Sequence, residues 1–289
     1  MALPSSRSWI DPRQRADVQR DHALGAPSAR SMLLTILGEF ALEQKNPTWT
    51  AAFVKALGAL DIDEKTARQT LGRSSNRGLL KSEKVGRRTR WYLTDRAQVL
   101  LNEGSQRIYS FHTENHQWDG NWIVIFVAIP ESRRDARYNL RVKLGWAGFA
   151  PLSAGTWICP WTEREHEARI VLSELGLNTV SHTFIGKLSK SESASELAQE
   201  AWDLPSVEAV YEEFQTAHRN SDPKTPEEKF VALTRMVNQW RRLPLMDPDL
   251  PQALLPKNWS GDRAAKLFHQ LRDLWKLEAA QWWNQINEL

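Results

Sequence analysis

Cysteine is almost absent from the sequence, which holds a single one, Cys159, among 289 residues. One thiol cannot close an internal disulfide and cannot build an all-cysteine metal cage. Because Cys159 lies between Trp157 and Trp161, we expect it to be a small buried hydrophobic residue.

Long apolar runs are also missing. No stretch of about 18 consecutive apolar residues occurs, so the sequence predicts no membrane-spanning helix. The first residues, MALPSSRSWIDPRQR, contain no apolar segment suited to a signal peptide, which predicts a cytoplasmic protein.

Motifs for catalysis are lacking as well. The sequence has no glycine-rich loop that would cradle a phosphate and no elbow that would present a nucleophilic serine. Only His112 and His116, with Glu114 between them, have the spacing of metal ligands. One such pair in a loop does not define a metal site. The expectation is a protein without catalytic residues, metal or cofactor.

Basic residues are concentrated in one stretch. Residues 61–94 carry nine basic and four acidic side chains, a net charge of +5, whereas the whole chain nets only +3. A local excess of positive charge on a chain that is otherwise near neutral marks a binding site for a polyanion.

Length and composition predict a folded protein of more than one domain. A chain of 289 residues exceeds one ordinary core, and its 41% hydrophobic content is typical of a globular protein. The predicted segments are a flexible N-terminal arm at 1–27, a DNA-binding domain at 28–95, a linker helix at 96–117, a middle domain at 118–190 and a helical C-terminal domain at 191–289.

The second of these segments has the pattern of three helices followed by a β-hairpin. Thr48 or Thr50 is placed to cap the second helix, and Asp63 is a good N-cap for the third. Gly78 fits the position just after the third helix, and the hairpin turn is expected at Lys84–Gly86. This order predicts a winged helix-turn-helix.

The third predicted helix has two different faces. One packs inward and is formed by Ala67, Thr70, Leu71 and Ser74. The opposite face is polar and basic, and such a helix fits the major groove, where Arg, Gln and Asn pair with guanine and adenine edges. Lys65 and Thr66 are assigned to phosphates, and the hairpin to the DNA backbone or minor groove. The full set expected at DNA is Lys65, Thr66, Arg68, Gln69, Arg73, Asn76, Arg77, Lys84, Arg87, Arg88 and Arg90. A surface for protein contacts is the competing interpretation.

From residue 118 the pattern alternates between strands and helices. The predicted strands are 122–129, 149–152, 156–159 and 179–185. The predicted helices are 131–146 and one that starts at Thr162, where TERE forms a capping box. Strand, helix, two strands, helix, strand is the ferredoxin-like order. Beyond residue 189 the pattern is helical, with a second capping box at Thr225–Glu228. The predicted fold class is therefore α+β.

Three stretches together resemble a known family. They are KTARQTLGRSSNRGLL with GRRTRWYLT, then RIYSF, then GNWIVIFVAIPESRRDARYNLRVKLGWAGFAPLSAGTWICPW. They are similar to the PaaX family of bacterial transcriptional regulators, which repress pathways of aromatic-acid breakdown. The resemblance covers residues 28–190 well and the helical C-terminal part loosely.

The resemblance implies a winged helix, a ferredoxin-like middle domain similar to a CRISPR spacer-acquisition nuclease, and a helical C-terminal domain. It also implies a homodimer that binds a palindromic double-stranded operator. Arg68 and Arg73 fall on helix positions where the family is basic, and Arg87 and Arg88 fall on its wing. Ser74 stands where the family usually has leucine, so that end of the helix is expected to pack more loosely.

A small-molecule effector is implied by the same resemblance, namely an acyl-coenzyme A pathway intermediate such as an aryl-acyl-CoA. It is hypothesised to bind between the middle and C-terminal domains. Three arginines at helical spacing, Arg134, Arg137 and Arg141, suit its phosphates. The aromatic candidates for its acyl pocket are Trp122, Trp146, Trp157 and Trp161. A solvated helix face and core packing are the competing interpretations of these two sets.

The predicted function is a ligand-responsive repressor of an aromatic-compound catabolic operon. The alternative is an enzyme, a metal-dependent nuclease that uses the ferredoxin-like domain. Asp119 precedes the first strand of that domain, but Trp122–Ile129 holds no carboxylate at its end. One acid alone is a poor Mg²⁺ site.

Overall fold

The structure, a computed structural model, describes residues 28–42, 47–112, 117–130 and 132–288. The arm predicted at 1–27 lies outside the described residues, as do Glu114, His116 and the side chain of Trp146. The described residues form two compact units. The first is drawn from 28–111, 214–242 and 265–288, and the second from 112–213 and 243–264.

The helices and strands of the described residues follow one another along the chain. They are α1 (Ala29–Ile36), β1 (Thr48–Trp49), α2 (Thr50–Gly58), α3 (Glu64–Asn76), β2 (Leu80–Val85), β3 (Arg88–Leu93), α4 (Asp95–Ser110), β4 (Asn121–Val127), α5 (Arg134–Trp146), β5 (Ala150–Ser153), β6 (Thr156–Cys159), α6 (Glu165–Glu174), β7 (Ser181–Lys187), α7 (Ala194–Ala201), α8 (Leu204–His218), α9 (Pro226–Trp240), α10 (Leu243–Met246) and α11 (Ser260–Glu288).

The strands are confined to one part of the chain. Every strand of the described residues lies between Thr48 and Lys187, and the described chain beyond Lys187 is helical. The structure is thus mixed α and β with a helical C-terminal region, which is compatible with the predicted α+β class. None of the described helices combines the length and the apolar character that crossing a bilayer requires.

The first unit carries a three-stranded antiparallel sheet in the order β1-β3-β2. The last ladder pair of the hairpin is Val85 with Arg88, so the turn consists of Gly86 and Arg87. Gly86 has a φ of +62°, a backbone conformation that glycine adopts without steric cost. The turn predicted at Lys84–Gly86 is therefore displaced by one residue, and Arg87 lies at the tip.

Strand β1 is an edge strand that the sequence pattern does not reveal. Thr48 pairs with Trp91 in β3, and the Thr50 hydroxyl donates to the Thr89 carbonyl oxygen at 3.0 Å. Helix α2 begins without a side-chain cap. The cap predicted at Thr48 or Thr50 is wrong because both residues bind the sheet instead.

An aromatic core joins the N-terminal helices of the first unit to α9 and α11. The Trp283 ring lies 6.1 Å from that of Phe40, 5.5 Å from Phe53 and 6.2 Å from Phe230. Trp283 is completely buried. Truncating a buried ring of this size to alanine costs about 3–5 kcal/mol. The N-terminal helices thus depend on the last turns of α11 for a complete core.

The second unit contains a four-stranded sheet in the order β5-β6-β4-β7, with every neighbouring pair antiparallel. One face of the sheet packs on α5 and α6 through Ile123, Ile125, Leu140 and Leu172. Cys159 belongs to this core and has no exposed surface, as expected. Burial raises the pKa of its thiol to about 11, so the thiol stays protonated.

Arg164 is a buried polar link within the second unit. Its Nη2 atom lies 3.4 Å from Asp249 Oδ2, and the indole N–H of Trp161 donates to the Asp249 carbonyl oxygen at 2.6 Å. Gly148, with a φ of +84°, lies directly against this arginine, since a β-carbon there would fall 1.7 Å from Nη1. The side chain of Arg164 needs a glycine at that position.

The capping box predicted at Thr162 is wrong. Residues Thr162–Arg164 form a 3-10 turn, and α6 begins at Glu165 with no side-chain cap. The capping box at Thr225 is confirmed, because Thr225 and Glu228 exchange side-chain to backbone hydrogen bonds.

His112 follows α4 in the left-handed conformation, with a φ of +59°. Its Nε2 atom lies 2.9 Å from the Tyr211 hydroxyl and 3.3 Å from Asp247 Oδ2, and its Nδ1 atom lies 3.4 Å from Asp262 Oδ1. Burial acts to lower the pKa of His112. The hydrogen bond and charge of Asp247, with the charges of Asp249 and Asp262, outweigh burial and raise that pKa.

Candidate nucleic-acid interface

Helix α3 starts at a well-formed cap. Asp63 accepts two hydrogen bonds from Thr66, one from the backbone N–H at 2.9 Å and one from the hydroxyl at 2.7 Å. These bonds lower the pKa of Asp63, the hydroxyl bond most. The cap predicted at Asp63 is confirmed, and the Thr66 hydroxyl donates its hydrogen bond to Asp63.

Helix α3 buries one face and exposes the other, as the sequence predicts. Ala67 and Leu71 have no exposed surface, and Thr70 and Ser74 are buried with them. The Ser74 hydroxyl donates to the Thr70 carbonyl oxygen at 2.8 Å, which satisfies this polar group inside the core. The exposed face carries Lys65, Arg68, Gln69, Arg73 and Asn76.

Charge on this exposed face is little compensated. Arg68 donates through Nε to Glu64 at 2.7 Å, one turn earlier. Exposed pairs of this kind contribute little to stability, so Arg68 can exchange Glu64 for a stronger anion. Arg73 forms no ion pair with another residue of the described chain. The helix therefore presents cationic and amide groups together.

The hairpin next to α3 presents a second basic surface. The end of α3 is closed by Gly78, whose φ of +69° and hydrogen bond to the Ser75 carbonyl oxygen confirm its predicted position. Lys84, Arg87 and Arg88 are exposed around the turn. The Arg88 guanidinium lies 4.6 Å from the centre of the Trp49 ring, a cation–π contact.

Arg90 differs from the other basic residues of the hairpin. It donates through Nε and Nη2 to both oxygens of Glu83, each at 3.1 Å. The Tyr92 hydroxyl donates to the same carboxylate at 2.5 Å. These bonds, that of Arg90 first, lower the pKa of Glu83. The positive charge of Arg90 is thus partly neutralised at its own surface.

The arginines predicted to contact an effector all lie on the exposed face of α5. Arg134 and Arg141 have no ion pair within the described chain, and Arg137 donates to the Ile129 carbonyl oxygen at 2.8 Å. They share one helix side, as their spacing predicts. None of them lines the cavity described next.

Of the tryptophans predicted for the acyl pocket, Trp122, Trp157 and Trp161 are buried. Trp157 belongs to the core between the sheet and its helices, whereas Trp122 stacks on Trp202 at the opposite face of the sheet. Trp161 lines a cavity of about 240 Å³ together with Trp118, Pro160 and Glu163. The structure therefore does not bring Trp122 and Trp157 to one wall.

A metal-dependent nuclease would need carboxylates that converge on a metal ion. The Asp119 carboxylate accepts hydrogen bonds from the backbone N–H and the side-chain amide of Asn121, at 2.8 and 2.7 Å. Within the described ranges, no three His, Cys, Asp or Glu side chains converge in a way that could hold a metal ion.

Sequence reasoning missed three residues that shape the interface, namely Trp49, Glu83 and Tyr92. Glu83 and Arg90 are a directly paired couple in the ladder because they lie equally far from the turn. The sequence predicts this pairing of Glu83 with Arg90 only when the turn is placed at Gly86–Arg87. Trp49 had no local signal, since its contact with Arg88 joins a separate strand.

An exposed cationic helix face beside a basic hairpin is the kind of surface that attracts a polyanion, and the comparisons with known proteins show the family. The chain belongs to the PaaX family. The model described as PaaX-like protein matches residues 28–97, that of the PaaX protein central Cas2-like domain matches 115–198, and that of the PaaX-like protein C-terminal domain matches 202–285.

Two individual proteins are similar over most of the chain. The transcriptional repressor PaaX of Escherichia coli (strain K12) is 26% identical, over 88% of this chain and 83% of its own. A solved structure, the uncharacterized protein Rv0674 from Mycobacterium tuberculosis, matches with a TM-score of 0.63 at 21% identity, over 91% of this chain and 99% of its own. The second likeness shows that the two folds are alike.

Proposed function

We propose that this protein is a DNA-binding transcriptional repressor. The observation that carries the proposal is the two-sided helix α3, which buries Ala67 and Leu71 and exposes Arg68, Gln69 and Arg73 beside a basic hairpin. The name of the Escherichia coli relative, a transcriptional repressor, supports the same class.

The proposed fold of the first unit is a winged helix-turn-helix, with α3 as recognition helix and the β2–β3 hairpin as wing. For the second unit we propose a ferredoxin-like fold. Its strand order, with β4 between β6 and β7 and two helices on one face, supports this assignment.

On DNA, α3 enters the major groove. Arg68, Gln69, Arg73 and Asn76 meet base edges there, while Lys65 and Thr66 lie near phosphates. Arg77 and the wing residues Lys84, Arg87 and Arg88 hold the backbone. Arg90 contributes less than its charge suggests, because Glu83 already occupies its guanidinium.

Repression is proposed to act through a homodimer on a palindromic operator of an aromatic-compound catabolic operon. A two-fold dimer places two recognition helices on half-sites one helical turn apart, a spacing of roughly 34 Å.

Release is proposed to follow the binding of an acyl-coenzyme A or aromatic pathway intermediate. The exposed guanidinium groups of Arg134, Arg137 and Arg141 suit its phosphates. Trp161, at the wall of its cavity, is better placed to meet an acyl group than Trp122 or Trp157. A ligand would reach Trp122 or Trp157 only if the groups that cover them moved.

The test is a gel shift with the intergenic DNA upstream of the protein's own gene, with and without Mg²⁺ and acyl-coenzyme A. We expect a discrete shifted band that Mg²⁺ does not change and that the effector reverses. Cleavage of the DNA would contradict the repressor function and support a metal-dependent nuclease, which no comparison favours.

Two substitutions separate the roles within the interface. Arg73→Ala should weaken operator binding and relax the preference at one base pair, by about 1–3 kcal/mol of discrimination. Arg88→Ala should weaken binding evenly across sequences and reduce the salt slope by about 1. Unchanged affinity in both variants would show that the DNA face is assigned wrongly.

A further inference from the structure

The last turn of α11 holds the edge of the sheet that carries the wing. The Trp49 backbone N–H donates to Asn287 Oδ1 at 3.0 Å, and Asn287 Nδ2 donates to the Pro47 carbonyl oxygen at 3.3 Å. One carboxamide thus pairs with the outer edge of β1 in the way that a further strand would. Neither leucine nor aspartate can make both bonds.

Trp49 and Thr50 also contact the wing, on the side of β1 that pairs with β3. The Trp49 ring carries the guanidinium of Arg88 at 4.6 Å. Thr50 donates through its hydroxyl to the Thr89 carbonyl oxygen and accepts a hydrogen bond from the Trp91 indole N–H at 2.8 Å. The first half of β3 is therefore held by contacts with Trp49 and Thr50.

Stacking on an aromatic ring is a specific way to hold an arginine. A guanidinium that lies over an aromatic face can still donate its N–H groups to phosphate oxygens. A pre-oriented side chain loses less conformational freedom when it binds. The position of the Trp49 ring therefore determines how the Arg88 guanidinium is oriented toward a phosphate.

Helix α11 is itself fixed where Asn287 emerges. Trp283, one turn earlier, is completely buried among Phe40, Phe53 and Phe230. Side chains four residues apart share a helix face, so Asn287 leaves the helix on the side that this core anchors. The hydrogen bonds of Asn287 therefore start from a rigid base.

We propose that Asn287 is a positioning residue for DNA binding, which fixes the wing arginine Arg88 through Trp49. The inference rests on the proposed function of the hairpin as a DNA-binding wing. It gives α11 a role, through Trp49, in the contact between the wing and the DNA backbone.

The test is a double-mutant cycle in the full-length protein, with operator affinity measured across a range of salt concentrations. Asn287→Leu should weaken operator binding about as much as Arg88→Ala and lower the salt slope by about 0.9, the value of one phosphate contact. The double variant should bind no more weakly than Arg88→Ala alone, because both changes remove the same contact. Gln285→Ala, an exposed residue of the same turn, is the matched control and should bind like the wild type.

A purely structural role for Asn287 would give a different pattern. Wild-type affinity for Asn287→Leu, or a loss that adds in full to that of Arg88→Ala, overturns the inference. Should Asn287→Leu fail to fold in a thermal melt, Asn287→Ala replaces it, since it removes both hydrogen bonds without adding charge or bulk, and the same outcomes decide. Failure of the wild type to bind operator DNA would instead overturn the proposed function itself.

Discussion

Glu83 is the acidic residue that partly neutralises the positive charge of the hairpin. Its carboxylate accepts two hydrogen bonds from Arg90 and one from Tyr92, all on the surface that also carries Arg88. An acid at this place weakens the attraction to a phosphate backbone. If the hairpin binds DNA as proposed, we therefore expect Glu83 to weaken non-specific binding.

Replacing Glu83 with glutamine should therefore tighten DNA binding. The neutral side chain releases Arg90 and removes one negative charge near the phosphates, so the salt slope should steepen by about 1. Affinity titrations at several salt concentrations measure both effects. Glu212→Gln, an exposed acid on α8, makes the same change in net charge and serves as control. Equal effects of the two variants would mean that only overall charge matters.

His112 gives the second unit a stability that depends on pH. Its pKa in the folded chain lies above the usual 6.5 because Asp247, Asp249 and Asp262 outweigh the effect of burial. Stability from a raised pKa is fully present below pH 6.5 and is lost as the pH rises through the folded value. The melting temperature of the wild type should fall across that window.

His112→Gln should remove this fall in melting temperature above pH 6.5. The matched control is His218→Gln, because burial lowers the pKa of His218 and its contribution therefore has the opposite sign, at lower pH. The control should keep the fall above pH 6.5. A wild-type melting temperature that stays constant between pH 6.5 and pH 9 would contradict the role given to Asp247 and Asp262.

At the scale of the element, a substitution at Gly72 should change the stability of α3 and its proposed DNA binding in opposite directions. It lies on the helix with no atom within 4 Å of an added β-carbon. Gly72→Ala should raise the free energy of unfolding by up to about 1 kcal/mol, since glycine is a poor helix former. The same methyl group stands on the face proposed to enter the major groove, so operator affinity should fall. A variant that is both more stable and fully active in the gel shift would place the DNA elsewhere.

Gly148 is a glycine of the opposite kind. Its φ of +84° and the 1.7 Å approach of an added β-carbon to Arg164 Nη1 leave no room for alanine. Gly148→Ala should lower the free energy of unfolding by about 1–3 kcal/mol or more, the usual cost of a strained backbone with a displaced buried charge. Gly145→Ala, in the open on α5, is the control and should be neutral or stabilising in urea unfolding.

At the scale of the whole molecule, local patterns in the sequence predicted most of the elements. The two faces of α3, the cap at Asp63 and the glycine at Gly78 follow from helical periodicity and backbone chemistry, and the structure confirms all three. The α+β class follows from the change of pattern after the last strand. Features of this kind depend on neighbours within about one turn of helix.

Contacts between distant segments could not be predicted in this way. Strand β1 has only two residues and exists because β3 offers it a partner. Arg164 reads as a surface residue until the loop at Asp249 meets it. The bond from Trp49 to Asn287 joins residues 238 positions apart, and no periodicity in either segment announces it.

That separation in sequence bears on how the protein is made. A ribosome that has delivered residues 28–97 has supplied α3 and the hairpin, but neither Trp283 for their core nor Asn287 for the edge of their sheet. The packing of this segment is therefore complete only after α11 has been synthesised. Translation products that stop before Trp283 lack these contacts, so we expect their first unit to be less stable.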